Sequence, residues 1–297
     1  MELLAQFIVT GITTGILYGL MGLAMVIIYK SCGIFNFAHG SIVGFVALLI
    51  WALWVQLHLP LWLVFVGIIL SSIILGLIIE RGILRPLTGQ PLLAAIMATI
   101  GLGEMFAGVV TLFWPGQGRQ YPAVFSSDMG VLHMGNVVMS FESIVVAIIS
   151  IISVGLFMIF YKYSDIGLAM RGIAEDQQLA QSGGIKVTRM FALSWIIAIL
   201  MCCIAGFLAG SMAAVDFPHI YALSMKAVPS VLVGGLESII GAVIGGLTIG
   251  ILENVAGGYI DPFVQGGMQE VAPWIIVLVI MIIRPFGFFG YRRIERM

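Results

Sequence analysis

The sequence predicts an all-α polytopic membrane protein of about eight to ten transmembrane helices, some of them broken or short, and three observations carry that expectation. The 297 residues are 61% hydrophobic and 9% charged, with a mean hydropathy of +1.15, whereas soluble domains carry about 25% charged residues. Crossing about 30 Å of hydrocarbon at 1.5 Å per residue takes about 20 apolar residues. The chain holds many such stretches, which excludes a single-anchor protein and a β-barrel. A formal charge of −1 and a pI near 6.4 leave no basic surface for nucleic acid, so membrane lipid is the surrounding this composition requires.

Taken in order, apolar runs place spans near residues 6–29, 39–57, 61–79, 91–114, 141–161 and 190–215, then a glycine-rich region over 219–256 and a last span near 271–284. The first run begins close to Met1 with no basic segment before it and no small-residue cleavage site after it, so it is expected to stay as a helix. The glycine-rich region can hold a broken helix pair, because Pro229, Gly234 and Gly235 interrupt the first part, while 239–256 is long enough to cross alone. Basic residues assign the sides. Arg81 and Arg85 share one connection, Lys162, Arg171, Lys186 and Arg189 another, and Arg292, Arg293 and Arg296 end the chain, so these three regions are expected inside. The connections 115–140, where Arg119 is the sole basic residue, and 257–270, which has none, are expected outside. The N-terminus is then outside and the C-terminus inside. That arrangement needs an odd number of crossings, about nine, reached if 219–236 and 239–256 each cross; a re-entrant pair breaks the parity.

Glycines and scattered polar residues add a second layer. Gly11, Gly15 and Gly19 lie four apart on one face of the first span, and Gly241/Gly245 and Gly246/Gly250 repeat the pattern, which lets helix backbones approach closely in lipid. Tight packing is the plain reading and a narrow glycine-lined passage the alternative. Cys32, Cys202 and Cys203 lack metal-ligand spacing and read as small packing residues. Residues 38–43 and 227–232 each begin an apolar helix after a polar break, a faint echo that, if the halves are related, makes an inverted repeat of the kind transporters place around a central path. Gly33 and Gly40 can break helix geometry, and between them Asn36 and His39 bring donors and acceptors to a depth where unsatisfied polar groups cost several kcal/mol. These two residues either satisfy a helix break or meet a solute. No metal role is assigned to His39, because His58, His133 and His219 are scattered. Glu104, Asp216, Glu237 and Glu253 should face protein or water. Glu104, flanked by Gly101, Gly103 and Gly108, suits a carboxylate packed near another backbone, and the other three fall near span ends.

The longest inside connection is the most informative. Over 164–185, Ser164 or Asp165 can cap a helix and Gly183 or Gly184 can stop it, while Ile166, Met170, Ile173, Ala174 and Ala180 recur at helical spacing. One short amphipathic helix is expected on the inner surface, with Arg171, Glu175 and Asp176 on its polar face and an i, i+4 contact open to Arg171. It reads either as a helix that docks into a groove on a soluble partner or as one resting on lipid headgroups. A headgroup-bound helix is normally rich in Lys and Arg, and this one has a single Arg and two acids.

Gly167-x-x-x-Arg171, Ala174-Glu175-Asp176, Ala180 and Gly184-Ile185 resemble the coupling loop of the branched-chain amino-acid ABC transporter permease family (LivH-type). Gly33-Ile34-Phe35-Asn36-Phe37-Ala38-His39-Gly40 resembles the family's signature after the first span. Met225-Lys226-Ala227 through Val233-Gly234-Gly235-Leu236-Glu237-Ser238-Ile239 resembles its glycine-rich segment, and Arg284-Pro285-Phe286-Gly287-Phe288-Phe289-Gly290 its C-terminal ending. Glu237 departs from the pattern, standing where the family usually has a small residue. The resemblance implies one transmembrane permease domain over 1–297, with a first half of about 1–140, a cytoplasmic coupling loop at 162–189 and a second half of about 190–297. Gly167, Arg171, Glu175, Asp176, Ala180 and Gly184 are then the ATPase-coupling residues. Asn36, Phe37, His39, Gly40, Ser41, Pro229, Gly234 and Gly235 form the translocation path or its helix breaks.

It also implies a place in the bacterial cytoplasmic (inner) membrane and a set of partners: a second permease subunit in a heterodimer, two ATPase subunits and an extracytoplasmic solute-binding protein. No cofactor is expected on this chain; ATP and Mg belong to the partner subunits. In agreement, none of Lys30, Lys162, Lys186 and Lys226 follows a phosphate-cradling glycine loop, and no nucleophile or metal-ligand motif supports an enzyme. The alternatives are a permease of the same family for urea, short amides or another small solute, and an ATP-independent secondary transporter.

Overall fold

The computed structural model describes residues 2–116, 118–122, 130–134, 137–264 and 266–290. In chain order these form α1 (Glu2–Cys32), α2 (His39–Trp51), α3 (Leu61–Ile78), α4 (Leu92–Phe113), β1 (Val131–Met134), β2 (Val137–Ser140), α5 (Phe141–Tyr163), α6 (Asp165–Glu175), α7 (Gln177–Ser182), α8 (Val187–Met212), α9 (Phe217–Met225), α10 (Ala227–Gly234), α11 (Ile239–Val264) and α12 (Met268–Ile283). Short π-helical stretches, Ala52–Gln56 and Ile79–Leu84, extend α2 and α3. Among the described residues seven helices are long and apolar enough to cross a membrane, and α12, of 16 residues, is a shorter apolar one. The protein is a polytopic all-α membrane protein.

Over 219–236 the broken arrangement that its Pro and Gly residues allowed is present as two short helices, α9 and α10, with a turn at Lys226. Two expectations change. Residues 257–264, expected in a loop, continue α11, and α12 begins four residues after that helix ends. The helix over 164–185 is broken into α6 and α7 at Asp176. The C-terminal Arg292, Arg293 and Arg296 lie outside the described residues.

The chain forms two compact units, one of Met1–Val26, Phe125–Ile151 and Met225–Met297, the other of Ile27–Val124 and Ile152–Ser224, so each draws on both halves of the sequence. In the first unit a glycine seam joins α1 to α11. A Cβ added to Gly15 would stand 2.8 Å from the Gly246 carbonyl oxygen, one on Gly246 2.5 Å from the Gly19 nitrogen, and one on Gly250 2.5 Å from the Gly11 oxygen. These faces are closed by backbone, which is tight packing rather than a passage. Beside the seam the Asn254 amide donates to Thr14 Oγ1 at 3.1 Å. The Gln6 amide holds the edge of the β1–β2 hairpin, donating to the Val138 carbonyl and accepting from its N–H, both at 2.8 Å.

In the second unit α8 packs on α2 and α3, and α4 packs on α2. Small residues stand at each crossing: Gly206 against the Val43 carbonyl, Gly76 against the Ile196 backbone, and Gly103 against Ala38 and Ser41. The segment 118–122 is tied to the ends of these helices. Tyr121 donates to the Ala47 carbonyl at 2.8 Å over Gly210, and burial pushes its phenol well above the usual range, so it stays a donor. Asp216, near the end of α8, accepts from the Gly118 N–H at 2.8 Å.

Gly246→Leu should therefore lower the thermal unfolding midpoint in detergent, since overpacking costs about 1–3 kcal/mol and here the obstruction is backbone. Gly108→Ala, with nothing within 4 Å of the added carbon and a better helix former in place of glycine, should not lower it. Equal midpoints for wild type and Gly246→Leu would remove the seam from the packing account.

Candidate functional site

The connection between α5 and α8 is tied to the end of α5. Ser164 Oγ accepts from the Gly167 N–H at 2.9 Å and starts α6, a hydroxyl supplying one of the acceptors a helix N-terminus lacks. Gly167, Met170 and Ile173 form the buried stripe. Gly167 presses on the Tyr161 carbonyl near the end of α5, where a Cβ would collide with the oxygen. Arg171 Nη1 donates to that same carbonyl, and its guanidinium lies 5.5 Å from the Tyr161 ring. The expected i, i+4 contact of Arg171 with Glu175 is thus not made; the arginine turns back to α5. Asp176 accepts from the Gln178 and Leu179 N–H groups at 2.8 and 2.9 Å, so it caps α7. Ala180 is buried, and Gly184 takes a positive φ of 86° that ends the segment. Glu175 and Asp176 face outward with Leu168 and Leu179, which are 61% and 72% exposed.

The break before α2 stands in the second unit. Gly33, at φ 70°, ends α1. Asn36 Oδ1 accepts from the Ala38 N–H at 3.0 Å and shapes the turn, while its Nδ2, buried, has no partner. His39 is fully buried at the start of α2 with Nδ1 3.7 Å from Cys202 Sγ and Nε2 unpartnered. Phe37 is 45% exposed, its N–H reaching Thr99 Oγ1 at 3.4 Å. Gly40 and Ser41 are buried where α4 crosses at Gly103.

In the first unit Pro229 lies inside α10, and Gly234 meets the Gly241 carbonyl so closely that a side chain has no room. Gly235 turns the chain at φ 104°, and the turn closes by the Ser238 N–H to the Gly235 carbonyl at 3.1 Å. Glu237 is half-buried inside that turn, which takes its tightness from Gly235. Two of the resembling blocks meet here: Phe288 and Phe289 donate N–H groups to the Val233 and Gly234 carbonyls at 2.8 and 3.0 Å.

Glu253, expected near a solvated span end, is 1% exposed and paired with Lys226, and Tyr18 donates to the same oxygen at 3.4 Å. Its second oxygen has no partner. Sequence reading missed this triad because its members are 235 and 27 residues apart; the usable signal was a lone lysine among apolar helices. Glu104 is exposed on α4, and no neighbour lies within 4 Å of a Cβ on Gly101 or Gly108, so that carboxylate does not pack on a backbone of this chain among the described residues. Among the described residues no three His, Cys, Asp or Glu side chains cluster as metal ligands.

The family model "Branched-chain amino acid transport system / permease component" matches residues 7–284. The chain belongs to this family. It is 30% identical over 302 aligned positions to the high-affinity branched-chain amino acid transport system permease protein LivH of Escherichia coli (strain K12), covering 98% of this chain and 97% of that one. It is 28% identical to the permease protein BraD of Pseudomonas aeruginosa with the same coverage. A probable LivH of Methanocaldococcus jannaschii is 29% identical over 94% of this chain and 90% of that protein. Among solved structures, PsaBC from Streptococcus pneumoniae in complex with Fab matches with a TM-score of 0.50 and 17% identity over 97% of this chain and 94% of that chain, a likeness of fold alone.

Within this permease, removing one member of a buried pair leaves an uncompensated charge, which costs about 3–5 kcal/mol. Glu253→Leu or Lys226→Met alone should lower thermal stability strongly, and the double variant should regain most of it. A double variant as unstable as the sum of the singles would show that the two residues do not act as a pair.

Proposed function

We propose that this permease is the membrane-spanning subunit of an ATP-driven importer of branched-chain amino acids, working with a second permease chain, two ATPase subunits that hold ATP and Mg, and an extracytoplasmic solute-binding protein. The observation that carries the reading is the lock between α6 and α5. With Gly167 and Arg171 both on the Tyr161 carbonyl, α6 cannot move without α5. The outward faces of α6 and α7, with Leu168, Glu175 and Leu179, offer a soluble partner apolar anchors and charge. An ATPase that binds this face differently in its two nucleotide states shifts the spans between outward-open and inward-open forms, because only differential affinity moves an equilibrium. The unpaired Glu104 on the outer face of α4 supports a second permease chain, since a carboxylate inside a span is costly in lipid. The unpartnered Asn36 Nδ2 and His39 Nε2 support a polar path beside the break, with Pro229, Gly234 and Gly235 shaping a second break.

The distribution of Lys and Arg supports a cytoplasmic coupling loop, an outside N-terminus and an inside C-terminus, with α9 and α10 crossing as one broken span. In a cysteine-free background, Gln120→Cys should react with an impermeant maleimide in intact cells and Leu179→Cys only after permeabilisation. Labelling of Leu179→Cys from outside would invert the assignment.

Leu168→Asp with Leu179→Asp spares both helix caps. Loss of two apolar anchors, each worth more than about 1 kcal/mol if central to an interface, should weaken ATPase association at least tenfold while membrane insertion is unchanged. Leucine uptake by the reconstituted complex should require ATP and the binding protein. Unchanged association in the double variant defeats the coupling role, ATP-independent uptake favours a secondary transporter, and uptake of urea or acetamide in place of leucine moves the chain to a different solute.

A further inference from the structure

The second unit holds a cavity of about 230 Å³ bordered by Cys32 and Ile34 at the break before α2 and by Gln177 at the start of α7. Its floor is Glu80, Ala95 and Trp195, and its mouth is edged by Arg85, Gln90 and Gln177. Gln177 opens α7, so the cavity lies between the coupling loop and the spans. Pockets for drug-sized ligands span about 300–1,000 Å³, so this one suits a small solute.

The polar groups are complementary to a zwitterion. Glu80 is 2% exposed and accepts from Arg85 through Nε and Nη2, both at 3.1 Å. A carboxylate offers about four acceptor positions and a guanidinium five N–H donors, so the pair keeps free acceptors on Glu80 and free donors on Arg85. Trp195 is fully buried in the wall, its indole against the Cys32 sulfur. Leu84, Leu87, Leu92 and Phe191 form an apolar side of the wall, with Thr88 near the mouth residues in sequence. An ammonium group fits against Glu80, a carboxylate against Arg85, and a branched aliphatic side chain against the leucines and Phe191.

We propose that this cavity binds a free branched-chain amino acid from the cytoplasmic side and that the bound molecule, bridging Gln177 to the Glu80–Arg85 pair, braces α7 and slows further import. The ligand class and the sidedness rest on the importer reading above. The binding itself is measurable without transport.

The full chain in lipid nanodiscs should bind radiolabelled L-leucine saturably. L-Valine should compete. Isoamylamine, which lacks the carboxylate, and 4-methylpentanoate, which lacks the ammonium group, should not. Ala95→Phe, which fills the cavity, and Arg85→Lys, which keeps the charge and loses the fork, should each weaken binding at least tenfold; the second stands if the first fails to fold. Absence of saturable binding, or equal binding by the folded variants, overturns the site. In proteoliposomes of the assembled complex, lumenal L-leucine should cut initial uptake several-fold in wild type and not in Arg85→Lys. Binding without that effect overturns the feedback, and uptake with no leucine bound by the chain overturns the site while the importer reading stands. Leucine bound in the cavity by a complex that imports no amino acid overturns the importer reading and leaves the site.

Discussion

In hydrocarbon, helices gain nothing from excluding water, so they hold together by close approach of their backbones and by the few polar groups they can satisfy between them. The α1–α11 seam is the clearest expression of that constraint. With five glycines in contact, no side chain separates the two helices along the seam, and dispersion between backbones supplies the attraction. The same device recurs where α10 turns into α11 at Gly234 and Gly241 and where the chain end folds onto Val233 and Gly234. Open glycines, such as Gly101 and Gly108 on α4, have the composition of such a seam without the neighbour.

The α6–α7 connection applies the same constraint at the end of a span. Without a Cβ at Gly167, α6 comes up against the Tyr161 carbonyl of α5, and Arg171 reaches the same oxygen. The result is a rigid corner between a surface helix and a span. The break at Asp176 leaves α7 as a separate piece, capped on its own.

Buried charge is handled in two ways. Glu253 meets Lys226 and Tyr18 within one unit, and Glu80 meets Arg85 at the mouth of a cavity in the other. Both cost desolvation. The first leaves one carboxylate oxygen without a donor, and the second keeps part of its hydrogen-bonding capacity open to solvent. A carboxylate that stays buried at such cost is either fixing a helix arrangement or waiting for a ligand, and the neighbouring empty space separates the two cases.

Residue types along the chain were enough to establish the membrane class and the family and to narrow the cap to Ser164 or Asp165 and the stop to Gly183 or Gly184, because hydropathy and local motifs are properties of contiguous residues. They also marked Gly11, Gly15, Gly19, Gly246 and Gly250 as contact positions. Only the tertiary structure decided which groups meet. Arg171 had a sequence neighbour in Glu175 and bonded the Tyr161 carbonyl instead, because a helix surface offers less than a carbonyl whose capping partner is absent. Asp176, read from the sequence as a charge on the polar face, also caps α7, since a carboxylate at a chain turn lies close to free backbone N–H groups. Glu253, Lys226 and Tyr18 looked unrelated because the contacts that satisfy a buried charge are made through space, between residues whose separation along the chain carries no signal of their meeting.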